Sequence, residues 1–456
     1  MGLNLTLEVG RTSLISRQQQ LAVVANNLAN AGKTGYHKQD AILNNNMPVT
    51  TNIGQMGTGA HVEAIVRAFD QALENNLQTA ITQSGEDSIY AQKLNSIEAA
   101  TAPDGSSRLA EIITDFGSSL QTLSTQPEST DARETVLFYA ESVTSEFNRL
   151  HGDILTIRDN IADASNTGEI ADKLNEINRL AGEIAQLNDD ISFQESRLFN
   201  AGIANDLRDE RDSLVKQIAQ YVDITVTEET DYTYTVTLGG HELVSGGTSD
   251  SLNLDMSGGS PAFSWTSDSS AAAISSGEIF GLVQAFNHAD TLLTDYETFA
   301  AQLSTIVNTQ HNLGTDLNGA PGADLFDAST PGAMQVLIST PDELAASLTA
   351  AIGDGSNMLA IWDAMNSSVA ALNQDSVFEH SNNLVDAIAL EFRNAKSRAS
   401  VSESSVLLFT EAVQRNSGVN VDEEMIGMLE VQRGFQAAAR VVTTVDELLG
   451  IVIGLV

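Results

Sequence analysis

Cysteine is absent from this chain of 456 residues. Its absence excludes disulfide bonds, metal sites built on thiolates and a cysteine nucleophile. It also suits a protein that passes unfolded through an export channel, because no thiols can cross-link on the way. The N-terminus has no basic segment followed by a continuous apolar segment and a small-residue cleavage site, so we expect no cleaved secretory signal peptide. If the protein leaves the cell, we expect another route to carry it.

Basic residues are scarce. The chain has 22 lysines and arginines against 61 aspartates and glutamates, and its formal net charge is −39. A surface this acidic repels nucleic acids and anionic lipids, so we expect neither nucleic acid nor membrane among its partners. Long apolar runs are missing too, since none reaches the roughly 18–20 residues that span a bilayer. The apolar tail LLGIVIGLV at 448–456 is shorter than that, and we interpret it as the packed end of a helix.

Aromatic residues make up 5% of the chain, and its seven prolines all lie between Pro48 and Pro341. This composition favours long helices over a large sheet core. Alternating apolar residues from 221 to 246 predict strands, and we expect short strands within 44–61 and at 334–338. Asp131 is the predicted N-cap of one helix. The helical periodicity predicts helices over 3–30, 69–100, 108–123, 131–161, 169–198, 205–220, 277–312, 356–416 and after Gly418.

These elements predict a mainly α, multidomain α+β protein with a nested organisation. Residues 1–45 with 417–456 form a terminal coiled-coil assembly domain. A bundle of long helices comprises 46–221, 275–313 and 356–416. A β-rich outer domain comprises 222–274 and 314–355.

The C-terminal segment carries an apolar seven-residue repeat. The repeat is long enough to predict a coiled coil. A shorter ladder of leucines lies at the other end of the chain, so we expect the two terminal helices to pair. The a positions are Val421, Met428, Phe435, Val442, Leu449 and Val456, the d positions are Glu424, Val431, Ala438, Val445 and Val452, and the N-terminal ladder is Leu7, Leu14, Leu21 and Leu28.

Three asparagines cluster at the end of the N-terminal helix, at Asn26, Asn27 and Asn30. Asparagine is a poor residue for a helix interior, so these side chains should be committed to hydrogen bonds. They either cap this helix or bridge to a neighbouring subunit. We include them in the expected assembly interface together with Gly35 and Tyr36, which follow the helix.

No motif in the chain predicts catalysis or a bound cofactor. The segment His241–Ser245 begins like a zinc protease motif but lacks the second histidine four residues on, so we expect no zinc. The acidic loop 316–327 offers oxygen ligands, but it departs from the spacing of a calcium loop; a turn is favoured and calcium stays open. The charged run 208–212 is predicted to form ion pairs on a helix surface.

Four segments resemble bacterial flagellar axial proteins, the family of rod, hook and hook-associated proteins. The sequence QQQLAVVANNLANAGKTGY (18–36) is similar to the N-terminal motif of that family, although the family pattern ends in Asn-Thr-x-Gly-Tyr. The C-terminal segment 417–449 resembles the end of the first of the two hook–filament junction families. Segments 205–226 and 310–326 resemble the same family, and all four keep its order. The chain looks short for the family, so an outer domain is expected to be reduced or missing.

The resemblance implies a structural role. Family members place both terminal helices around a narrow axial channel, with the helical bundle outside them and β domains facing outward. They assemble as a ring at the hook tip, where the implied partners are other copies, hook protein and the second junction protein. The resemblance also implies export through the flagellar type III apparatus without cleavage, a chaperone on the C-terminal helix, and an extracellular location. The alternatives are the second junction protein, a secreted coiled-coil adhesin or tip protein, and an enzyme carried on a flagellar subunit.

Overall fold

The computed structural model describes residues 2–51, 54–103, 105–197 and 204–454. It confirms a mainly α multidomain fold with small sheets. Two residues with predicted roles, Leu198 at a helix end and Val456 in the heptad, lie outside the described residues. The helices are α1 (Gly2–Ala29), α2 (Gln71–Thr101), α3 (Arg108–Thr125), α4 (Thr130–Ile161), α5 (Glu169–Arg197), α6 (Asn205–Tyr221), α7 (Glu278–His311), α8 (Ser356–Met365), α9 (Val377–Ser417) and α10 (Val421–Gly454).

The described strands are short and antiparallel, and they form several separate sheets. The largest has four strands in the order β5-β6-β7-β8, and the other pairs are β1-β4, β2-β3, β9-β10 and β11-β12. The strands are β1 (Gln39–Asn45), β2 (Val49–Thr51), β3 (Gly54–Met56), β4 (Ala60–Arg67), β5 (Ile224–Glu228), β6 (Tyr234–Leu238), β7 (His241–Ser245), β8 (Thr248–Ser249), β9 (Leu252–Asp255), β10 (Ala262–Trp265), β11 (Phe326–Asp327) and β12 (Gln335–Val336).

The core lies between the long helices α2 to α9. In α4, apolar residues at helical spacing are buried, from Val136 through Val143 to Leu150 and Ile154. The expected N-cap of this helix was wrong. The N-cap is Ser129, whose hydroxyl accepts a hydrogen bond from the Ala132 amide, and Asp131 lies in the first turn instead. Phe138 lies in the same helix but is 62% exposed, because its position on the helix faces away from the bundle.

The segment 356–416, predicted to be helical, forms two helices. The chain breaks between α8 and α9, where Asn373 and Gln374 adopt positive φ angles of 57° and 70°. A capping box then starts α9. The Glu379 amide donates to the Ser376 hydroxyl, and the Ser376 amide donates to the Glu379 carboxylate. The Ser-x-x-Glu spacing of that box was visible in the sequence.

The two segments assigned to one β-rich domain lie at opposite ends of α7. Strands β5 to β10 precede that helix and contact α5, whereas β11 and β12 follow it and contact α7 and α4. A helix of 34 residues is about 51 Å long. The described strands of the two segments do not share a sheet. The two segments flank α7 in the sequence, but their strands form separate sheets that contact different helices.

The two chain ends form a separate unit in which α1 pairs with α10 and the β1-β4 ribbon lies along α1. The chain passes between this unit and the bundle at two places, between β4 and α2 and between α9 and α10. Lys38 contacts both places, because its amide donates to the Ser417 carbonyl at 2.8 Å and its carbonyl accepts from the Ala68 amide at 2.7 Å. We call α1, α10 and strands β1 to β4 the terminal unit.

Candidate functional site: the terminal unit and its connection to the bundle

The contact face of α10 is centred on the d positions of the heptad. Within α10 the described buried residues are Glu424, Val431, Ala438 and Val445. The a positions flank this line. Met428, Val442 and Leu449 are half-buried, whereas Val421, Phe435 and Val452 are exposed, Phe435 at 38%. The structure therefore brings most of the heptad to α1 and leaves three of its expected interface residues at the surface.

The buried residues of α1 are Gly10, Ser16, Val23 and Asn27, so small and polar side chains predominate. Gly10 faces α10, whereas the Ser16 hydroxyl donates to the Ala60 carbonyl of β4 at 2.8 Å. The leucines of the ladder, Leu7, Leu14, Leu21 and Leu28, are half-buried. A Cβ atom on Gly10 would lie 2.8 Å from Val442 Cγ2, which shows how closely the two helices approach. Sequence reasoning sought large apolar residues and missed this small one.

Asn27 ties four parts of the terminal unit together. It is 1% exposed. Its Nδ2 donates to the Gln39 carbonyl at 2.9 Å and to Glu424 Oε2 at 3.1 Å. Its Oδ1 accepts from the Gln39 amide and from the Tyr36 hydroxyl, both at 2.9 Å. One amide thus joins α1, the following loop, β1 and α10 within a single chain.

The neighbouring asparagines act locally. Asn30 Nδ2 donates to both the carbonyl and the Oδ1 of Asn26 at 3.0 Å, at the end of α1. Asn26 Nδ2 lies 3.2 Å from the Tyr36 hydroxyl. Gly35, with φ of 80°, makes the turn that places Tyr36 here. Burial, reinforced by nearby carboxylates including Glu424, raises the pKa of Tyr36 to about 12.

Glu424 is a buried carboxylate in an otherwise apolar helix contact. Lys38 Nζ lies 3.3 Å from its Oε1, and Asn27 donates to the other oxygen. A buried charge is costly unless it is paired and hydrogen-bonded, and here both conditions are met. The polar residue in the first d position therefore sets where α10 meets α1 and β1.

A buried ionic cluster connects the terminal unit to the bundle. His37 Nδ1 lies 2.8 Å from Asp209 Oδ1 on α6, and its Nε2 lies 3.1 Å from Glu74 Oε1 on α2. Although burial alone would lower the pKa of His37, these two carboxylates raise it to about 9. Glu74 also pairs with Lys216 at 2.7 Å, and its own pKa is lowered despite burial. Sequence analysis did not single out His37.

Arg67, at the end of β4, completes this cluster. Its Nη1 lies 2.8 Å from Asp209 Oδ1 and 2.5 Å from Asp212 Oδ2. Although burial opposes it, the Asp212 carboxylate raises the pKa of Arg67. The cluster of His37, Glu74, Arg67, Asp209, Asp212 and Lys216 is named the connecting cluster below.

The prediction that 208–212 forms surface ion pairs was wrong, because α6 is covered by α5 on one side and by α2 on another. Four of its five residues are buried. Arg208 pairs with Glu195 at 3.1 Å, and the Arg211 guanidinium lies 3.4 Å from the centre of the Tyr234 ring. Burial lowers the pKa of Arg211. A pattern of alternating charged residues does not show that other helices cover the polar face of α6.

Three members of the connecting cluster have the geometry of a metal site. One oxygen or nitrogen from each of His37, Asp209 and Asp212 lies within 4.8 Å of the others. Arg67 Nη1 contacts both carboxylates, so a cation already neutralises them. The donor set therefore favours an ion-pair cluster over a metal centre.

The other sequence candidates lie at the start of β7 and in the acidic loop. His241 stacks on Trp265 with ring centres 4.1 Å apart, and its Nε2 lies 3.0 Å from Asp250. In the acidic loop, Asp316 Oδ1 accepts from the Ala320 amide at 2.7 Å, and Asp327 Oδ1 accepts from the Ser329 amide at 2.9 Å. These carboxylate oxygens organise the local backbone, as expected for turn residues.

Comparison with known proteins identifies the family. The profile described as flagellar hook-associated protein FlgK helical domain matches residues 94–326, slightly more than half of the chain. The chain belongs to the flagellar hook-associated protein FlgK family. Two further profiles match the chain ends: flagella basal body rod protein at 7–36, and flagellar basal body rod FlgEFG protein C-terminal at 413–455. The matched ends coincide with α1 and α10.

Relatives extend the similarity to nearly the whole chain. Flagellar hook-associated protein 1 of Bacillus subtilis is 25% identical, over 98% of this chain and 97% of that protein. The proteins of the same name from Escherichia coli and Salmonella typhimurium are each 28% identical, over 76% and 70% of this chain. The alignments span 64% and 59% of those two proteins, so the chain covers less than two thirds of the enteric relatives.

A solved structure supports the fold. The flagellar hook junction protein FlgK from Burkholderia pseudomallei matches with a TM-score of 0.64 over 75% of this chain and 99% of that one, at 16% identity. Membership of the family makes this chain a structural component of the flagellum at the hook–filament junction, in agreement with the resemblance seen in the sequence. Among the described helices, none combines the length and apolar character that crossing a membrane requires.

Proposed function

We propose that the chain assembles into a ring at the hook tip through its terminal unit. The observation that carries this proposal is the exposed apolar surface of α10. Met425, Ile426, Leu429, Ile451 and Ile453 are all exposed, and they lie outside the buried line that faces α1. An exposed apolar patch on a protein marks an interaction site. In a ring, neighbouring copies would cover this surface.

The net charge of the chain strengthens the argument that this surface is an assembly interface. A net charge of −39 keeps copies apart by repulsion, so association needs a specific contact to overcome it. Ile42 and Leu43 on β1 and Met47 in the loop after β1 are also exposed. Exposed apolar residues on both helix and ribbon support self-association through the terminal unit, including the expected interface positions Val421, Phe435 and Val452.

The connecting cluster supports an adaptor role. A junction subunit must hold its assembly region at a defined angle to its outer region. Here His37 and Arg67 from the terminal unit pair with carboxylates from α2 and α6 of the bundle. Buried ion pairs are directional, so this cluster would fix the orientation of the two units. The role is structural, and no catalytic activity is proposed.

The remaining partners follow from family membership. We propose that the ring contacts hook protein on one side and the second junction protein on the other. Before assembly an export chaperone would cover the exposed apolar face of α10. Export would proceed without signal-peptide cleavage, to an extracellular location at the junction.

Two experiments test the proposal. Deletion of the gene should leave hooks intact and release flagellin monomers into the medium, because filaments lack their junction. Phe435→Asp should do the same, since it places a charge on the exposed rim of the α1-α10 contact. Phe138→Asp, which changes an exposed phenylalanine of the bundle, is the matched control and should leave filaments normal. Normal filaments from the Phe435→Asp strain would refute assembly through this surface.

A further inference from the structure

Two arginines on α10 have no acidic partner among the described residues of their own chain. Arg433 and Arg440 are exposed and stand seven residues apart, on the side of α10 that faces away from the buried d line. No described carboxylate lies within ion-pair distance of either guanidinium, although acids outnumber bases 61 to 22 in the chain. In contrast, Arg11 on α1 pairs with Glu8 at 2.6 Å.

Two glutamates on the same helix have matching spacing. Glu423 and Glu430 are also exposed, also seven residues apart, and within the described residues neither lies within ion-pair distance of a cation. In heptad terms, with Val431 at d, the glutamates occupy successive c positions and the arginines successive f positions. Both rows lie outside the buried line of α10 that faces α1.

We propose that Arg433 and Arg440 of one copy pair with Glu423 and Glu430, respectively, on α10 of a second copy. This proposal rests on the proposed self-assembly through the terminal unit and adds the register of the contact. Two parallel α10 helices would be offset by ten residues, which is about 15 Å along the helix axis. The occupant of this face of α10 is therefore another α10.

The charge pattern selects this register over its neighbours. With the c row of one helix facing the f row of the other, an offset of three residues pairs only Arg433 with Glu430. An offset of seventeen residues pairs Arg440 with Glu423 but sets Glu447 against Glu430, which repel each other. The offset of ten makes two attractive pairs and no repulsive one. Complementary charges suppress wrong registers in this way even where each pair adds little affinity.

The absence of native cysteine allows a direct test. The full chain carrying Glu423→Cys and Arg433→Cys replaces the native copy in cells, and detached flagella are treated with a short bismaleimide cross-linker. The two cysteines of one chain are separated by about 15 Å of helix, too far for a short linker. The control variant, Glu423→Cys with Arg440→Cys, corresponds to the wrong register. We expect at least ten-fold more cross-linked oligomer from the first variant than from the control.

Charge reversal provides the second measurement. Arg433→Glu with Arg440→Glu should lower the amount of the chain in isolated junctions about ten-fold. Adding Glu423→Arg and Glu430→Arg to the same chain should restore it, which a loss of folding would not allow. Native-like incorporation of the first variant, or equal cross-linking in both cysteine variants, would overturn the inference while leaving self-assembly intact. Absence of the unmodified chain from junctions would overturn the proposed function itself.

Discussion

At the scale of single residues, buried polar side chains determine how the chain ends meet. Asn27 uses both of its donors and both acceptor positions on groups from three other segments. His37 lies between two carboxylates from different helices. Such contacts are directional, whereas the small apolar residues around them tolerate sliding. The polar residues therefore set the register of the terminal unit.

Asn27→Ala tests this role. The substitution leaves the buried Gln39 amide without an acceptor and removes one donor from Glu424, so it should lower stability by about 2–4 kcal/mol. Asn26→Ala is the matched control, because Asn26 is half-buried and makes only local contacts. Hydrogen exchange of the α10 and β1 amides measures the effect. Equal protection in both variants would contradict a bridging role for Asn27.

The raised pKa of His37 predicts that the stability of the protein depends on pH. Its pKa is raised to about 9 in the folded state, so its contribution is complete below the unfolded value near 6.5 and is lost as pH rises through 9. A shift of this size corresponds to about 3 kcal/mol. The free energy of unfolding, measured with denaturant, should therefore fall between pH 6.5 and 9.5. The dependence should disappear in His37→Gln and persist in His61→Gln, which changes an exposed histidine.

At the scale of secondary-structure elements, the close approach of α1 and α10 depends on small residues. Gly10 faces Val442, and Gly434 lies against the Arg17 side chain, where a Cβ would lie 2.9 Å from Nε. Close approach of two helices lets their backbones and short side chains contact along the seam.

Gly10→Val should force the two helices apart. The new side chain would overlap Val442, and overpacking of this kind costs about 1–3 kcal/mol. Gly450→Val is the control, because no atom lies within 4 Å of a Cβ at that position. Protease sensitivity of α10 should rise in the first variant only. An unchanged cleavage rate in Gly10→Val would show that the helices adjust without cost.

At the scale of the whole molecule, the bundle has a large apolar core, whereas the terminal unit buries few large side chains. The two parts are joined by the connecting cluster and by the two chain crossings near Lys38 and Ser417. Such a division suits a subunit whose outer body folds alone and whose ends are completed by neighbours. The exposed apolar residues of α10 belong to the part that buries fewer large side chains.

This division predicts the order of proteolysis. In the purified monomer, residues up to about 40 and beyond about 420 should be cleaved before the bundle, because a helix pair that buries little apolar area opens easily. Mass spectrometry of a time course under limiting protease identifies the fragments. In assembled junctions the same ends should be protected. Ends that resist cleavage as firmly as the bundle would contradict folding on assembly.

The sequence alone determined the helical character of the chain, most of its helices and the pairing tendency of its ends. These are local or periodic properties, carried by proline placement, apolar spacing and the heptad from Val421 to Val452. Short segments such as 18–36 also showed that the chain is similar to flagellar axial proteins.

Only the tertiary structure decided which helix faces are covered and which distant residues meet. Asp209 and Asp212 look like surface charges in the sequence, yet they are buried partners of Arg67, which lies more than 140 positions earlier in the chain. The separation of the two β-rich segments by α7 is likewise invisible in the sequence. Contacts between distant segments depend on how layers stack, and no local pattern of residues encodes that arrangement.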